Sequence, residues 1–387
     1  MTGAPSAEPT PQPSRRRRRY RTGDDALDAA VEDLVARSGI DRDTDLIVEM
    51  VTSALRLGRQ HADRAELKLV NAALKELRYA FSVFDPYEGV PKVSVFGSAR
   101  TGPDDPGYAT ARRFATAMVD AGWMVISGAG PGIMTAAVEG AGAERAFGVN
   151  IVLPFEAEPT PLLVDDPKLV NFRYFFTRKV TFMKESKAFA LLPGGFGTMD
   201  EAFELLTLLQ TGRTHLAPVV LVEEPGGDYW QGWLDFTHEH LHASGLISDD
   251  DLCLVRRCET VDEAVDEVLG FYDTYHSMRF VGGTLVLRLQ RPVADDELAA
   301  LNDEFADLVD HGRIERSGPT PSEVADDDVV DLPRLRLAFD RASYARLRRL
   351  LDRLNATGRT LPTEGRPSRS PFLEAVDQAG DAAVQPG

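Results

Sequence analysis

The stretch Pro193-Gly194-Gly195-Phe196-Gly197-Thr198-Met199-Asp200-Glu201 concentrates residue types that could do chemistry. An apolar run, Ala188 to Leu192, leads into it as a buried strand would, and Phe203, Leu205, Leu206, Leu208 and Leu209 lead out at helical spacing. The order strand, glycine turn, helix places unpartnered backbone N–H groups and the positive end of a helix dipole at the turn. A phosphate fits there. Gly194, Gly195 and Gly197 let a ligand approach the backbone with no Cβ in the way, and Thr198 adds a hydroxyl. Glu201 falls about one turn into the helix. A carboxylate repels a phosphate, so its presence beside one points to sugar hydroxyls or to chemistry at the sugar.

Two more glycine turns follow apolar strands. One is Ser127-Gly128-Ala129-Gly130-Pro131-Gly132-Ile133-Met134; the other is Gly97-Ser98-Ala99-Arg100. Neither is a dinucleotide fingerprint: in the first the third glycine comes one residue early, and Gly148 to Ile151 offers no acid for a ribose diol. No Gly-Lys-Ser/Thr follows any turn, so NAD and ATP are unsupported and no cofactor is expected. A single such turn is equally a bare structural turn; three at one sheet edge favour a phosphate-bearing ligand. Arg178 and Lys179, on the preceding helix, could reach that phosphate or Glu201, or form a solvated helix face. Glu139 either lines the pocket or sits on the surface. His238, His240 and His242 alternate along a helix without an acid at metalloprotease spacing, so no metal is expected.

The elements that must position these groups are legible from periodicity. Residues 1–23, with Arg15 to Arg19, read as a disordered basic tail, and 24–85 as helical. There the stripe Leu67, Val70, Leu74, Leu77, Phe81 and Phe84 must be buried on the next domain or on a second subunit. Residues 86–276 alternate strands and helices, which predicts a Rossmann-like, doubly wound parallel sheet of the α/β class, with ligands beyond the strands' carboxyl ends. Residues 277–355 read as a small α+β unit, β-α-β-β-α, and 356–387 as a disordered tail. A formal net charge of −18 excludes a general nucleic-acid binder. Two cysteines fit a reducing cytosol, and no apolar run reaches the roughly 18 residues of a membrane span. No apolar region follows the arginine run, so it does not read as an export signal; a cytoplasmic protein is expected.

Ser127 to Ala141, Arg178-Lys179…Met183 and Pro193 to Glu201 together resemble the Lonely Guy (LOG) family, across about half the chain. One departure is visible: the family commonly has Arg-Lys-x-x-Met, whereas Met183 comes one residue later, with Phe182 in its place. The resemblance implies a nucleoside 5′-monophosphate phosphoribohydrolase, releasing a base and ribose 5-phosphate from AMP or a cytokinin nucleotide. It implies Glu201 as the carboxylate that stabilises an oxocarbenium-like ribose, with Arg178 holding it ionised. Gly194, Gly195, Gly197 and Thr198 would bind the 5′-phosphate. Gly130, Gly132 and Met134 would border the nucleotide, and Ser98, Lys179 and Glu139 would join the substrate contacts. It further implies a homo-oligomer. The contrasting expectation is a non-catalytic carrier of a nucleotide or molybdenum cofactor, which would need the turns but not the Arg178–Glu201 pair. The helical region and the C-terminal unit exceed a minimal domain and read as assembly or effector elements.

Overall fold

The computed structural model describes residues 20–153 and 159–360. Residues 1–19 and 361–387, most of the two expected tails, lie outside the described residues. The chain divides into two compact units between Lys75 and Glu76. The first contains α1 (Asp25–Arg37), α2 (Thr44–Arg59) and the first half of α3 (Arg64–Phe84). Asp24 caps α1 by accepting the N–H groups of Ala26 and Leu27. Val31 and Val35 are buried here, but Leu34, Leu46, Met50, Leu67, Val70 and Leu74 remain exposed. The expected apolar stripe is thus present and largely uncovered.

The second unit begins with the rest of α3 and continues through β1 (Lys92–Phe96), α4 (Pro106–Asp120), β2 (Met124–Ser127), α5 (Ile133–Ala141), β3 (Ala146–Ile151), β4 (Leu169–Phe172), α6 (Phe175–Glu185), β5 (Ala188–Leu191), α7 (Phe196–Gln210), β6 (Val219–Val222), α8 (Tyr229–Phe236), β7 (Arg256–Cys258) and α9 (Val261–Gly270). The strands form a seven-stranded parallel sheet in the order β4-β3-β2-β1-β5-β6-β7. β1, β2, β5 and β6 are buried along their whole length, as apolar runs covered on both faces should be. One face packs on α4, α5 and α9 through Phe114, Met118, Val138 and Val268; the other packs on α6 and α7 through Phe182, Leu205 and Leu209. The chain leaves β4 at one edge and returns beside β1 as β5, so the strand order reverses between β1 and β5. That is the crevice where open α/β sheets bind ligands. Register sets its height: Val95 pairs with both Ser127 and Ala190, so the turns after β1, β2 and β5 emerge level.

A second sheet, β10-β11-β9-β8, is antiparallel. Its strands are β8 (Tyr275–Val281), β9 (Thr284–Leu289), β10 (Val309–Ser317) and β11 (Arg334–Phe339), with α10 (Asp295–Glu304), the short α11 (Pro321–Ala325) and α12 (Tyr344–Thr360). The order is therefore β-β-α-β-α-β-α. β8 escapes a sequence reading because a register shift between Tyr275 and Ser277 breaks its alternation. α9 ends at Gly270, and the boundary expected at 276/277 falls inside β8. The two sheets share one core: Leu347, Leu350 and Leu354 of α12 cluster with Leu205 and Leu209 of α7. Asn355 ties them further, accepting the N–H groups of Thr274 and Tyr275. The helix expected to carry His238, His240 and His242 gives way after Phe236 to a wider π-type turn, Thr237–His242.

Candidate active site

The three glycine turns are tied together by the backbone of Ser98. Its N–H donates to the Pro193 carbonyl at 3.1 Å, and its carbonyl accepts the Ile133 N–H at 3.0 Å. Its hydroxyl accepts the Arg100 N–H. The contact with the second turn demands glycine at 132, where φ is +69° and a Cβ would lie 2.3 Å from the Ser98 carbonyl oxygen. In the third turn only Gly194 is required by sterics: a Cβ there would lie 2.1 Å from Thr198 Oγ1. Around Gly195 and Gly197 a Cβ would meet nothing within 4 Å. That open space lies over the first turn of α7, where the N–H groups point outward. Tyr229 of α8 donates its hydroxyl to the Gly194 carbonyl and so braces the turn.

Beneath this shelf lie Arg178 and Glu201, 8% and 6% exposed. Arg178, on α6, donates Nε to the Val149 carbonyl of β3 at 2.9 Å and stacks its guanidinium on Phe182, 5.4 Å from the ring centroid. Phe182, in the place where the family pattern has Met, is thus the floor under Arg178, and Met183 is buried in the core. A Cβ at Gly128 would lie 2.5 Å from both Arg178 Nη2 and Met134 Sδ, so that glycine lets the guanidinium pass under the second turn. The Met134 methyl also closes on Gly130. Burial raises the Glu201 carboxyl above its ordinary pKa; Arg178, the residue's own backbone N–H and Lys179 oppose that rise, while Asp200 adds to it.

The fold brings together Ser98, Gly128, Gly130, Gly132, Met134, Arg178, Gly194 and Thr198, with Glu201 under the charge of Arg178. Lys179 is turned elsewhere: its ammonium lies 2.8 Å from Asp200 and 2.8 Å from Glu204 on α7. Although burial disfavours its charge, these carboxylates raise its pKa. Glu139 is exposed and takes a hydrogen bond from the Tyr108 hydroxyl of α4. His238 and His242 face each other with ring centroids 6.0 Å apart. Among the described residues no three His, Cys, Asp or Glu side chains gather as a metal would require. A separate cavity of about 290 Å³ in the first unit, lined by Asp28, Glu32, Asp45 and Glu49 among others, carries none of these groups. Tyr229 and the Val149 carbonyl were not legible in the sequence, since each meets the site only through the fold.

Level glycine turns at the switch point of a parallel sheet, over a buried arginine and glutamate, place a candidate anion site beside a carboxylate in an α/β fold. A family model described as "possible lysine decarboxylase" matches residues 132–268, which begin at Gly132 near the end of the second turn and contain Arg178 and the whole of Pro193–Glu201. A probable cytokinin riboside 5′-monophosphate phosphoribohydrolase of Oryza sativa subsp. japonica is 31% identical over 163 residues, 41% of this chain and 63% of that protein. The cytokinin riboside 5′-monophosphate phosphoribohydrolase of Rhodococcoides fascians is 33% identical over 88 residues, 23% of this chain and 42% of that protein. The chain thus spans between 42% and 63% of the length of these two relatives. Among solved structures, a molybdenum cofactor binding protein from Rippkaea orientalis is 16% identical, with a TM-score of 0.33 over 46% of this chain and 94% of that one; so low a likeness carries no functional argument. The parallel-sheet domain is thus similar, over residues 132–268 and in these stretches, to Lonely Guy phosphoribohydrolases.

Proposed function

We propose that the chain hydrolyses the N-glycosidic bond of nucleoside 5′-monophosphates, giving a free base and ribose 5-phosphate. The buried Arg178–Glu201 arrangement beneath the glycine shelf carries this reading, because a simple anion carrier has no use for a carboxylate there. The 5′-phosphate would sit over Gly195, Gly197 and Thr198 at the positive end of α7. The ribose would then lie against Glu201. As the C1′–N bond breaks, positive charge grows on the ribose ring, and an ionised carboxylate stabilises it. Water oxygen adds to C1′, one water proton is lost, and the departing base nitrogen gains a proton. Arg178 favours the charged form of Glu201, which burial alone would discourage.

The same reading includes a homo-oligomer. Phe176 and Val180 on α6, and Phe196 and Phe203 on α7, are exposed, Phe196 almost completely at 97%. Such a face supports association with a second copy. The reading also includes a cytoplasmic location, which the free thiols of Cys253 and Cys258 support; no helix among the described residues is long and apolar enough to cross a membrane. The test is incubation with AMP, other nucleoside monophosphates, nucleosides and isopentenyl-AMP, with free base and ribose 5-phosphate measured. Release from monophosphates but not from nucleosides is expected. Release from none of them would leave the carrier reading in its place.

A further inference from the structure

We propose that Glu76 is a positioning residue for this site: from α3 its carboxylate fixes the first turn of α6, and with it the place of Arg178. The role rests on Arg178 and Glu201 acting as proposed above. Glu76 lies outside residues 86–276, where the catalytic domain was expected, and outside the family match. Its two oxygens make two different contacts at one helix end. Oε1 accepts the backbone N–H of Arg173 at 3.1 Å, just before α6, and Oε2 accepts the Thr177 hydroxyl at 2.7 Å. Thr177 is completely buried, and its hydroxyl also lies 2.9 Å from the Tyr174 carbonyl.

Helix starts are ordinarily capped by a side chain of the preceding residue. Here the preceding residue is Tyr174, whose side chain makes no capping hydrogen bond. Glu76 reaches this helix start from another helix instead, taking the N–H just before it and the hydroxyl of its third residue, and its negative charge suits the positive end of the α6 dipole. Arg178 follows Thr177 directly. Its Nε is fixed on the Val149 carbonyl of β3, outside α6, so it tolerates little displacement of that helix. The charged groups acting on Glu201 are Arg178 and Lys179 from α6 and Asp200 from α7. Both cations ride on the helix that Glu76 anchors, whereas the anion does not. Loosening the start of α6 therefore weakens the support for an ionised Glu201 and leaves the opposing charge in place.

The experiment is the pH dependence of kcat/KM for AMP hydrolysis, with thermal unfolding measured in parallel, for Glu76→Ala, Glu76→Gln, Thr177→Val and Thr177→Ser. Glu76→Ala and Thr177→Val are expected to lower kcat/KM by about 10- to 100-fold and to move the acid limb of the profile to higher pH. Thr177→Ser, which keeps the hydroxyl, should restore both. A merely structural role would lower the melting temperature and leave the acid limb where it is, and that result would overturn the proposal. Should Glu76→Ala fail to fold, the Thr177 pair decides alone. Arg178→Gln is the control: if it leaves the acid limb unmoved, the reading of the pair itself fails, whereas a shift there with none in the Glu76 and Thr177 variants removes only the role of Glu76.

Discussion

Because burial raises the pKa of Glu201, the folded chain binds that proton more tightly than the unfolded chain does. Its contribution to stability is therefore largest in acid and is lost as pH rises through the folded-state pKa, so at pH 7 an ionised Glu201 works against folding. Glu201→Gln removes that charge while keeping the shape. It should lower kcat by about 10²- to 10³-fold and raise the melting temperature at pH 7, a trade expected where function holds a group in an unfavourable setting. Near-normal release of base from AMP would remove Glu201 from the chemistry. The glycines offer a second contrast. Gly194→Ala meets Thr198 Oγ1 at 2.1 Å and should destabilise the fold, whereas Gly197→Ala meets only open space. Gly197→Ala should leave melting unchanged and raise KM for AMP about tenfold or more; an unchanged KM would place the phosphate elsewhere. The glycines and Glu201 were legible in the sequence because strand, turn and helix are local. The place of Lys179 was not, since Asp200 and Glu204 receive it only once α6 and α7 lie side by side. Glu139 escaped for the same reason, its partner Tyr108 being on another helix.

At the scale of elements, legibility followed burial. β2, β5 and β6 are continuous apolar runs and could be read directly; β7 is Arg-Arg-Cys and β4 carries an exposed Asn171, so neither announces itself. The C-terminal sheet carries a feature that periodicity could not reveal. Glu323 of α11 is fully buried, 2.8 Å from Arg288 and 3.3 Å from Arg334. Its carboxylate also takes the N–H and hydroxyl of Thr320 in a capping box. Burial by itself would raise its pKa, but these hydrogen bonds prevail and hold it down to about 2. A depressed carboxyl stabilises the fold above its unfolded pKa and loses that contribution as pH falls towards the folded value. Glu323→Gln leaves buried Arg334 without a carboxylate partner, while Arg288 keeps Asp328, and should cost about 3 kcal/mol at pH 7. The gap to wild type in denaturant unfolding should shrink between about pH 4.5 and pH 2. A pH-independent gap would mean that packing, not charge, holds α11 against the sheet.

At the scale of the whole molecule, two quantities oppose each other in any encounter of two copies. Each carries a formal charge of −18, which repels. Each also exposes an apolar face on α6 and α7, where Phe176 and Val180 flank Lys179, and Phe196 and Phe203 flank Asp200. Lys179 is already paired with Asp200 and Glu204, so that face offers little uncompensated charge and contact there would be driven by apolar burial. Salt screens the repulsion over about 10 Å at 0.1 M and leaves apolar burial untouched. Self-association should therefore tighten as salt rises from low to moderate concentration, the reverse of an interface held by ion pairs. Sedimentation velocity on wild type and on a Phe176→Glu/Phe203→Glu double variant checks this. Wild type should sediment as an oligomer and the variant as a monomer at every salt concentration. Arg178 and Glu201 sit on the buried sides of these same helices, so the double variant should also lose AMP hydrolysis if the second copy is needed to hold α6 and α7 in place. Full activity in a monomeric variant would separate assembly from catalysis. A wild-type chain that sediments as a monomer would leave this face for a different partner.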